Sequence, residues 1–449
     1  MVIVNIGIMA EGISKINVLE LNSGFFYAGG ARNLYSFCRY LNRDFFNVYS
    51  ASYGVGGPGE AILSALGIEF VVADGNVNKI TEFIKQKNIN IIHIHRSGVF
   101  VQAEFDIIQA ALKVNKNIVV VEKNVFGNYD SRISDKIKCS MFQSMMHLNE
   151  RYLKASGARF DFKKMKVLYN MVDKDGFEKH RISEREIADY KKELGIEKGD
   201  YVIGKIARPH IAKWSDLVLD MMPYLVKEIK NTKFVIMGVP ESRIKMIEHS
   251  RLKKHFIILD ETSDEKKIHR FYQSIDVLAH SSKIGECNGN TINEAMFWGK
   301  PVVTNSTPRR DNGQLEQVFH MRDGIVANFP QTFAKALIYL YNNPNIRIEF
   351  GKKARNKILE INSPKNIVRQ LEKVFMESLD RDIVQAGLAD VAYKPSELEI
   401  VEYISEYRRR LKWEFGNLSK FERLANLLRI PRKLYFKASD YLEHQSYGK

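Results

Sequence analysis

Two short-period rhythms run along this chain. Apolar runs such as FNVYSASY, NIIHIHR, NIVVVEK and MKVLYN recur in the first 170 residues, and VIVNIGI reads as a first buried strand. Helical patterns such as ARNLYSFCRYL and EFDIIQAALKV stand between several of them. Apolar strands alternating with amphipathic helices predict a parallel sheet covered on both faces. The highly charged stretch 173–200 reads as a connection. The rhythm then restarts with YVIGKIA, TKFVIMG, HFIILD, DVLAHSS, KPVVTNS and GIVANF. The fold class is therefore α/β: two Rossmann-like domains facing across a cleft, followed by a helical C-terminal extension. The expected boundaries are 1–178, 179–375 and 376–449. The helix in SPKNIVRQLEKVFMESL is expected to finish the second domain or to bridge back to the first. Hinges are expected near 173–200 and 360–385.

At 449 residues the chain is too long for one core, which agrees with two domains. Its three cysteines stand far apart and suggest a reducing compartment, so a cytoplasmic location is expected. No apolar run reaches membrane-spanning length. The net charge of +15 favours phosphorylated substrates, anionic lipid or nucleic acid. Zinc-finger spacing and aromatic RNA-binding motifs are absent from the sequence, so nucleic acid is not the expected partner. Between 401 and 449, 11 lysines and arginines stand against six acidic residues, with Trp413, Phe421 and Leu428 among the interspersed apolar groups. This tail could lie on an anionic bilayer at the inner face of a membrane, or pack against the first domain.

Chemistry concentrates in SSKIGECNGNTINEAMFWGKPVV, residues 281–303. Glu286 and Glu294 lie eight residues apart around a Gly/Asn-rich turn, and the second opens an apolar helix. Carboxylates there can meet sugar or ribose hydroxyls, and the amides at the helix start around Asn290 and Thr291 can meet phosphate. Upstream, KIARPHIAKW offers Lys205, Arg208, His210 and Lys213 after a strand, either to neutralise a diphosphate or as a basic surface loop. Gly29 and Gly30 precede a helix, where the backbone can approach a ligand or simply turn. Cys287 reads as a small packing residue.

On the first domain, HIHRSG places His93, His95 and Arg96 at a strand end. His93 and His95 share a face, yet no third metal ligand is identifiable nearby, and no metal is expected. His95 and Arg96, with Glu122 and Lys123 of VVVEKNVFG, are candidates for the acceptor side of the cleft. The competing reading is hydrogen-bonded strand ends.

These motifs resemble the retaining nucleotide-sugar glycosyltransferases of family 4, which have the two-domain GT-B architecture, over residues 1–375. GECNGNTINEAMFWGKPVV resembles their paired-glutamate motif, ARPHIAKW their donor-phosphate loop and YAGGARNLYSF their N-terminal glycine loop. VLYNMVD, with Asn170 and Asp173, resembles the end of their first domain. The resemblance implies that Glu294 binds the donor ribose and Glu286 faces the donor sugar. Arg208 and Lys213 would then stabilise the leaving diphosphate, with Lys205, Gly30, Asn290 and Thr291 also on the donor. It further implies a UDP- or GDP-sugar donor, no required cofactor and a glycan or lipid-linked glycan acceptor. Many members carry a histidine after the strand matching NIVVV; here EKNVFG has none. The alternatives are a non-catalytic nucleotide-sugar-binding subunit and another GT-B enzyme such as an epimerase or phosphorylase.

Overall fold

The computed structural model describes residues 14–26, 29–307 and 310–413. VIVNIGI and most of the basic tail lie outside them. The first described strand is β1, Ile16–Asn22. It is followed by β2 (Phe46–Ser52), β3 (Glu69–Val72), β4 (Ile91–Arg96), β5 (Val119–Asn124), β6 (Cys139–Phe142) and β7 (Met165–Val167). They form one parallel sheet in the order β3-β2-β1-β4-β5-β6-β7.

A second parallel sheet has the order β10-β9-β8-β11-β12-β13. Its strands are β8 (Tyr201–Ile206), β9 (Thr232–Met237), β10 (Phe256–Leu259), β11 (Val277–His280), β12 (Val302–Thr304) and β13 (Gly324–Val326). Apolar side chains bury both faces of each sheet, as continuous Val/Ile runs require. The chain has GT-B architecture, two Rossmann-like α/β domains facing a cleft.

The domain edges differ from the sequence expectation. Val172 and Phe177 already pack in a second-domain core, so the first crossing falls near 170–174, not 178. At the other end, helix Pro364–Ser378 belongs to the first-domain core through Leu371, Val374 and Phe375. Phe375 sits edge-on to Phe46 at 5.9 Å. Ala386, Leu388 and Ile400 extend that packing, so the part of the extension nearest the sheet completes the first domain rather than standing apart. The two crossings touch: the Val172 amide donates to the Asn362 carbonyl at 2.8 Å, and Asn362 Nδ2 donates to the Asn170 carbonyl at 2.7 Å. The final described helix spans Glu397–Trp413. Among the described residues, no helix is long and apolar enough to cross a membrane.

Candidate active site

Strand order reverses beside β8 and β11 in the second sheet, and the C-terminal ends of such a pair open a crevice. Lys205 lies in β8, and its ammonium donates to the Ser281 carbonyl, just past β11, at 2.6 Å. It also stands over the Trp214 ring at 4.7 Å. Burial drives its pKa down to about 7. Lys205, which the sequence placed among the donor contacts, is thus buried between the Ser281 carbonyl and the Trp214 ring. Trp214 is buried and its indole N–H donates to the Arg208 carbonyl, which shapes the loop and leaves Arg208 itself exposed.

Lys213 comes off a short 3₁₀ turn, Ile211–Lys213, capped by the His210 ring. Its ammonium reaches Glu286 Oε2 at 2.9 Å. His280, at the end of β11, approaches Glu286 Oε1 at 3.4 Å. Burial pushes the Glu286 carboxyl up, but the His280 hydrogen bond and the Lys213 charge outweigh it and hold the group at about 2. Glu286 is thus held as an anion, with Lys213 on one oxygen and His280 on the other. Gly285, at φ +70°, lets the loop turn here, where a Cβ would run into the Asp311 carbonyl.

Glu294 sits on the helix Asn290–Phe297, eight residues after Glu286, which lies in the loop that leads into that helix. The Tyr272 hydroxyl donates to its Oε2 at 2.9 Å. Arg32 of the first domain donates to its Oε1 at 3.1 Å and to Glu265 at 3.2 Å. Burial raises the Glu294 pKa, against the pull of Arg32 and Tyr272. Asn290 accepts from Asn170 Nδ2 at 3.0 Å, so the helix start is also tied across the cleft. Thr291 is half-buried at the same start. Gly29 opens the helix Gly29–Tyr40, with Gly30 as its second residue and Arg32 one turn along.

The acceptor-side candidates are placed differently from the expectation. His95 and Lys123 are buried beneath the helix Gly29–Tyr40, on the face that carries Phe37. Glu20 of β1 accepts from both imidazoles, at 2.9 Å from His93 Nδ1 and 2.7 Å from His95 Nε2. Glu20 is the third ligand-type group that sequence reading did not find. Burial lowers His93 to about 3, His95 to about 4 and Lys123 to about 7. The nearby Lys123 ammonium, bonded to the Leu168 carbonyl at 3.0 Å, balances Glu20 and opposes a dication in the same space. Arg96 and Glu122 lie in another buried cluster, where Arg96 bridges Glu104 at 2.8 Å and Glu122 at 2.9 Å. These four residues are internal charge clusters, not a cleft lining.

Three residues near TPRRDNGQ close the site from behind. Asp311 meets the His147 ring at 3.2 Å and the Arg151 guanidinium, both from a π-helical stretch of the first domain. Gln314 accepts from the Glu286 amide at 3.0 Å. Glu316 accepts from the amides of Met145 and Met146, 2.9 Å each, at the start of the helical segment that continues as that stretch. Cys287 lies 3.7 Å from Asp311, and burial holds its thiol well above the usual range, which suits packing.

Residues 186–357 match the family model described as glycosyl transferases group 1. A poly(ribitol-phosphate) alpha-N-acetylglucosaminyltransferase of Staphylococcus aureus is 26% identical over 185 residues, 39% of this chain and 35% of that protein. An uncharacterized glycosyltransferase of Methanocaldococcus jannaschii is 26% identical over 170 residues, 36% of this chain and 42% of that protein. The matched stretch thus spans well under half of each relative. Among solved structures, Anabaena HepE in complex with UDP superimposes with a TM-score of 0.66 at 17% identity, over 80% of this chain and 99% of that one. A glycosyltransferase from Rickettsia africae gives 0.67 at 18% identity, over 82% and 100%. The chain is a GT-B-fold protein whose second domain, where the paired carboxylates lie, is similar to the group 1 glycosyl transferases.

Proposed function

We propose that this protein transfers a sugar from a nucleotide diphosphate-sugar to an acceptor hydroxyl with retention of anomeric configuration. The observation that carries the reading is the crevice at the β8–β11 switch point, where ionised Glu286, paired with Lys213 and His280, stands on one helix-loop unit with Glu294. Glu294 anchors the ribose hydroxyls, and Glu286 orients the sugar ring. Arg208 and Lys213 take up the negative charge that develops as the anomeric carbon–oxygen bond to phosphate breaks. The acceptor oxygen forms the new bond on the same face, and its proton passes to the leaving phosphate oxygen. No protein nucleophile is required. UDP in the similar Anabaena structure supports a UDP-sugar donor.

The acceptor belongs to glycan or lipid-linked glycan assembly in this reading. The basic tail supports work at the cytoplasmic face of an anionic membrane. Isothermal titration with UDP, GDP and ADP, followed by a donor–acceptor screen with mass analysis of the product, tests the proposal. Binding of one nucleotide and an acceptor gaining one sugar mass are expected. Donor binding without transfer to any acceptor favours a binding subunit, and donor interconversion without acceptor favours an epimerase. Failure of every nucleotide to bind removes the reading.

A further inference from the structure

The loops that the first domain turns toward the cleft carry almost no charge. Residues 23–26, 53–58, 97–101 and 125–129 follow β1, β2, β4 and β5, and none is Asp, Glu, Lys or Arg. In a chain that is 27% charged with a net +15, this is a marked local departure. The loop after β3, at the far edge, adds an acidic group, Asp74, and the loop after β7 adds Asp173, which pairs with Arg39 at 3.1 Å. The facing loop of the second domain is the opposite, with Arg208, His210 and Lys213.

Cations near the first-domain edge are already engaged. Arg32 binds Glu294 and Glu265, and Arg151 binds Asp311. Arg96 and Lys123 are sealed in the buried clusters. Arg132 pairs with Asp130 at 2.6 Å and covers the Phe100 ring. What these loops expose instead is carbon: Phe26 (45%), Val55 (52%), Val99 (48%) and Phe126 (41%).

The loops are also built. A Cβ at Gly24 would run into the Phe26 ring, and one at Gly57 into the Phe25 carbonyl. Asn124 accepts from the Gly127 amide at 2.8 Å and donates to the Asn128 carbonyl at 2.9 Å. Asn128 Nδ2 in turn donates to the Ser97 carbonyl at 2.8 Å. Gly98 and Gly127 take φ of +86° and +65°, which only glycine adopts without strain.

From this we propose that the acceptor site takes an uncharged saccharide, whose C–H face lies on Phe26 and Phe126, and discriminates against phosphorylated or carboxylated acceptors. A pyranose ring has one face rich in C–H groups, which aromatic rings cover favourably. An acceptor phosphate would meet no unpaired cation in these four loops and would lose its hydration without compensation. The proposal rests on the transferase reading, but it concerns loops that the donor does not need.

Saturation-transfer NMR on the full chain tests it. The probes are methyl glucoside, methyl galactoside and methyl N-acetylglucosaminide, with glucose 6-phosphate and galacturonate as charged counterparts. Neutral glycosides are expected to bind at least about tenfold tighter, with saturation strongest on one ring face. Phe26→Ala and Phe126→Ala should each weaken them at least about fivefold, Phe126→Tyr should restore binding, and Val99→Lys should shift preference toward the charged probes. UDP titrated into the same samples should bind all variants equally, which also certifies their folding. Equal or better binding of the charged probes, absence of glycoside binding, or silent alanine variants would overturn the proposal. So would binding of polyprenyl phosphate micelles in place of the glycosides, which would make the occupant a lipid. Glycoside binding without any UDP binding would uphold this inference while removing the donor assignment.

Discussion

Glu286 and Glu294 sit in one motif but their carboxyl pKa values are shifted in opposite directions, and each shift has a measurable consequence. Glu286 is held ionised by His280 and Lys213, with its pKa near 2. Its folded value lies below its unfolded one, so its contribution is present above about pH 4.5 and fades as pH falls toward 2. Glu294 is raised by burial and kept in use by Arg32 and Tyr272. Glu294→Ala should weaken nucleotide binding by about 1.5–3 kcal/mol, measured by titration calorimetry, because it removes a charged acceptor. Arg32→Ala should leave Glu294 without its cation and push that carboxyl further up. UDP affinity should then begin to fall at a higher pH than in the wild type as the solution is acidified, since only the carboxylate accepts from both ribose hydroxyls. Lys123 gives the reverse sign. Its pKa falls to about 7 on folding, so the unfolded chain binds the extra proton and stability rises with pH. Urea unfolding between about pH 7 and about pH 8.5 should show this slope in the wild type, and Lys123→Met should flatten it. The shared face of His93 and His95 was readable from strand period. Their partners were not, because Glu20 and Lys123 reach them from neighbouring strands, and pairing between strands is not written in any local pattern.

At the scale of elements, the long apolar strands were legible and the short or polar ones were not. NIIHIHR, YVIGKIA and TKFVIMG became β4, β8 and β9 almost as expected. EFVV and CSMF, four residues each, carry too little periodicity to separate from loop. INVLELN was passed over because Asn17, Glu20 and Asn22 break its apolar run, although Glu20 is buried in the finished sheet. The helix Pro364–Ser378 shows the same limit. Its amphipathic pattern announced a helix but not which domain it would cover. Phe375→Ala should destabilise the first domain by about 3–5 kcal/mol, because a buried ring against Phe46 and His93 leaves a cavity. Denaturant unfolding read by domain-specific tryptophan replacement checks it: the first-domain transition should move and the second should stay.

Across the whole molecule, the two domains meet through a series of polar contacts, from Arg32–Glu294 to Glu316 on the Met145 and Met146 amides, and through one paired crossing. Asn170, Val172 and Asn362 lie together, so the two crossings between the domains touch at one place. We expect donor binding to close the cleft about this point. Small-angle scattering with and without UDP should show a smaller radius when nucleotide is present, and Glu316→Ala should enlarge the nucleotide-free radius by releasing the Met145 and Met146 amides. An unchanged radius in all four samples would mean a fixed cleft.

Because the chain leaves the first domain near residue 172 and returns near 362, the second domain is in effect an insertion within the first. Leu371, Phe375, Leu388 and Ile400 are part of the first core, yet they are the last of its residues to leave the ribosome. The N-terminal half must therefore wait, with one face of its sheet only partly covered by the helix Gly29–Tyr40, while the second domain is made and closes around its own core. The domain that begins first is finished last. Synthesis interrupted after about residue 362 would release one folded unit attached to one that still lacks its final layer.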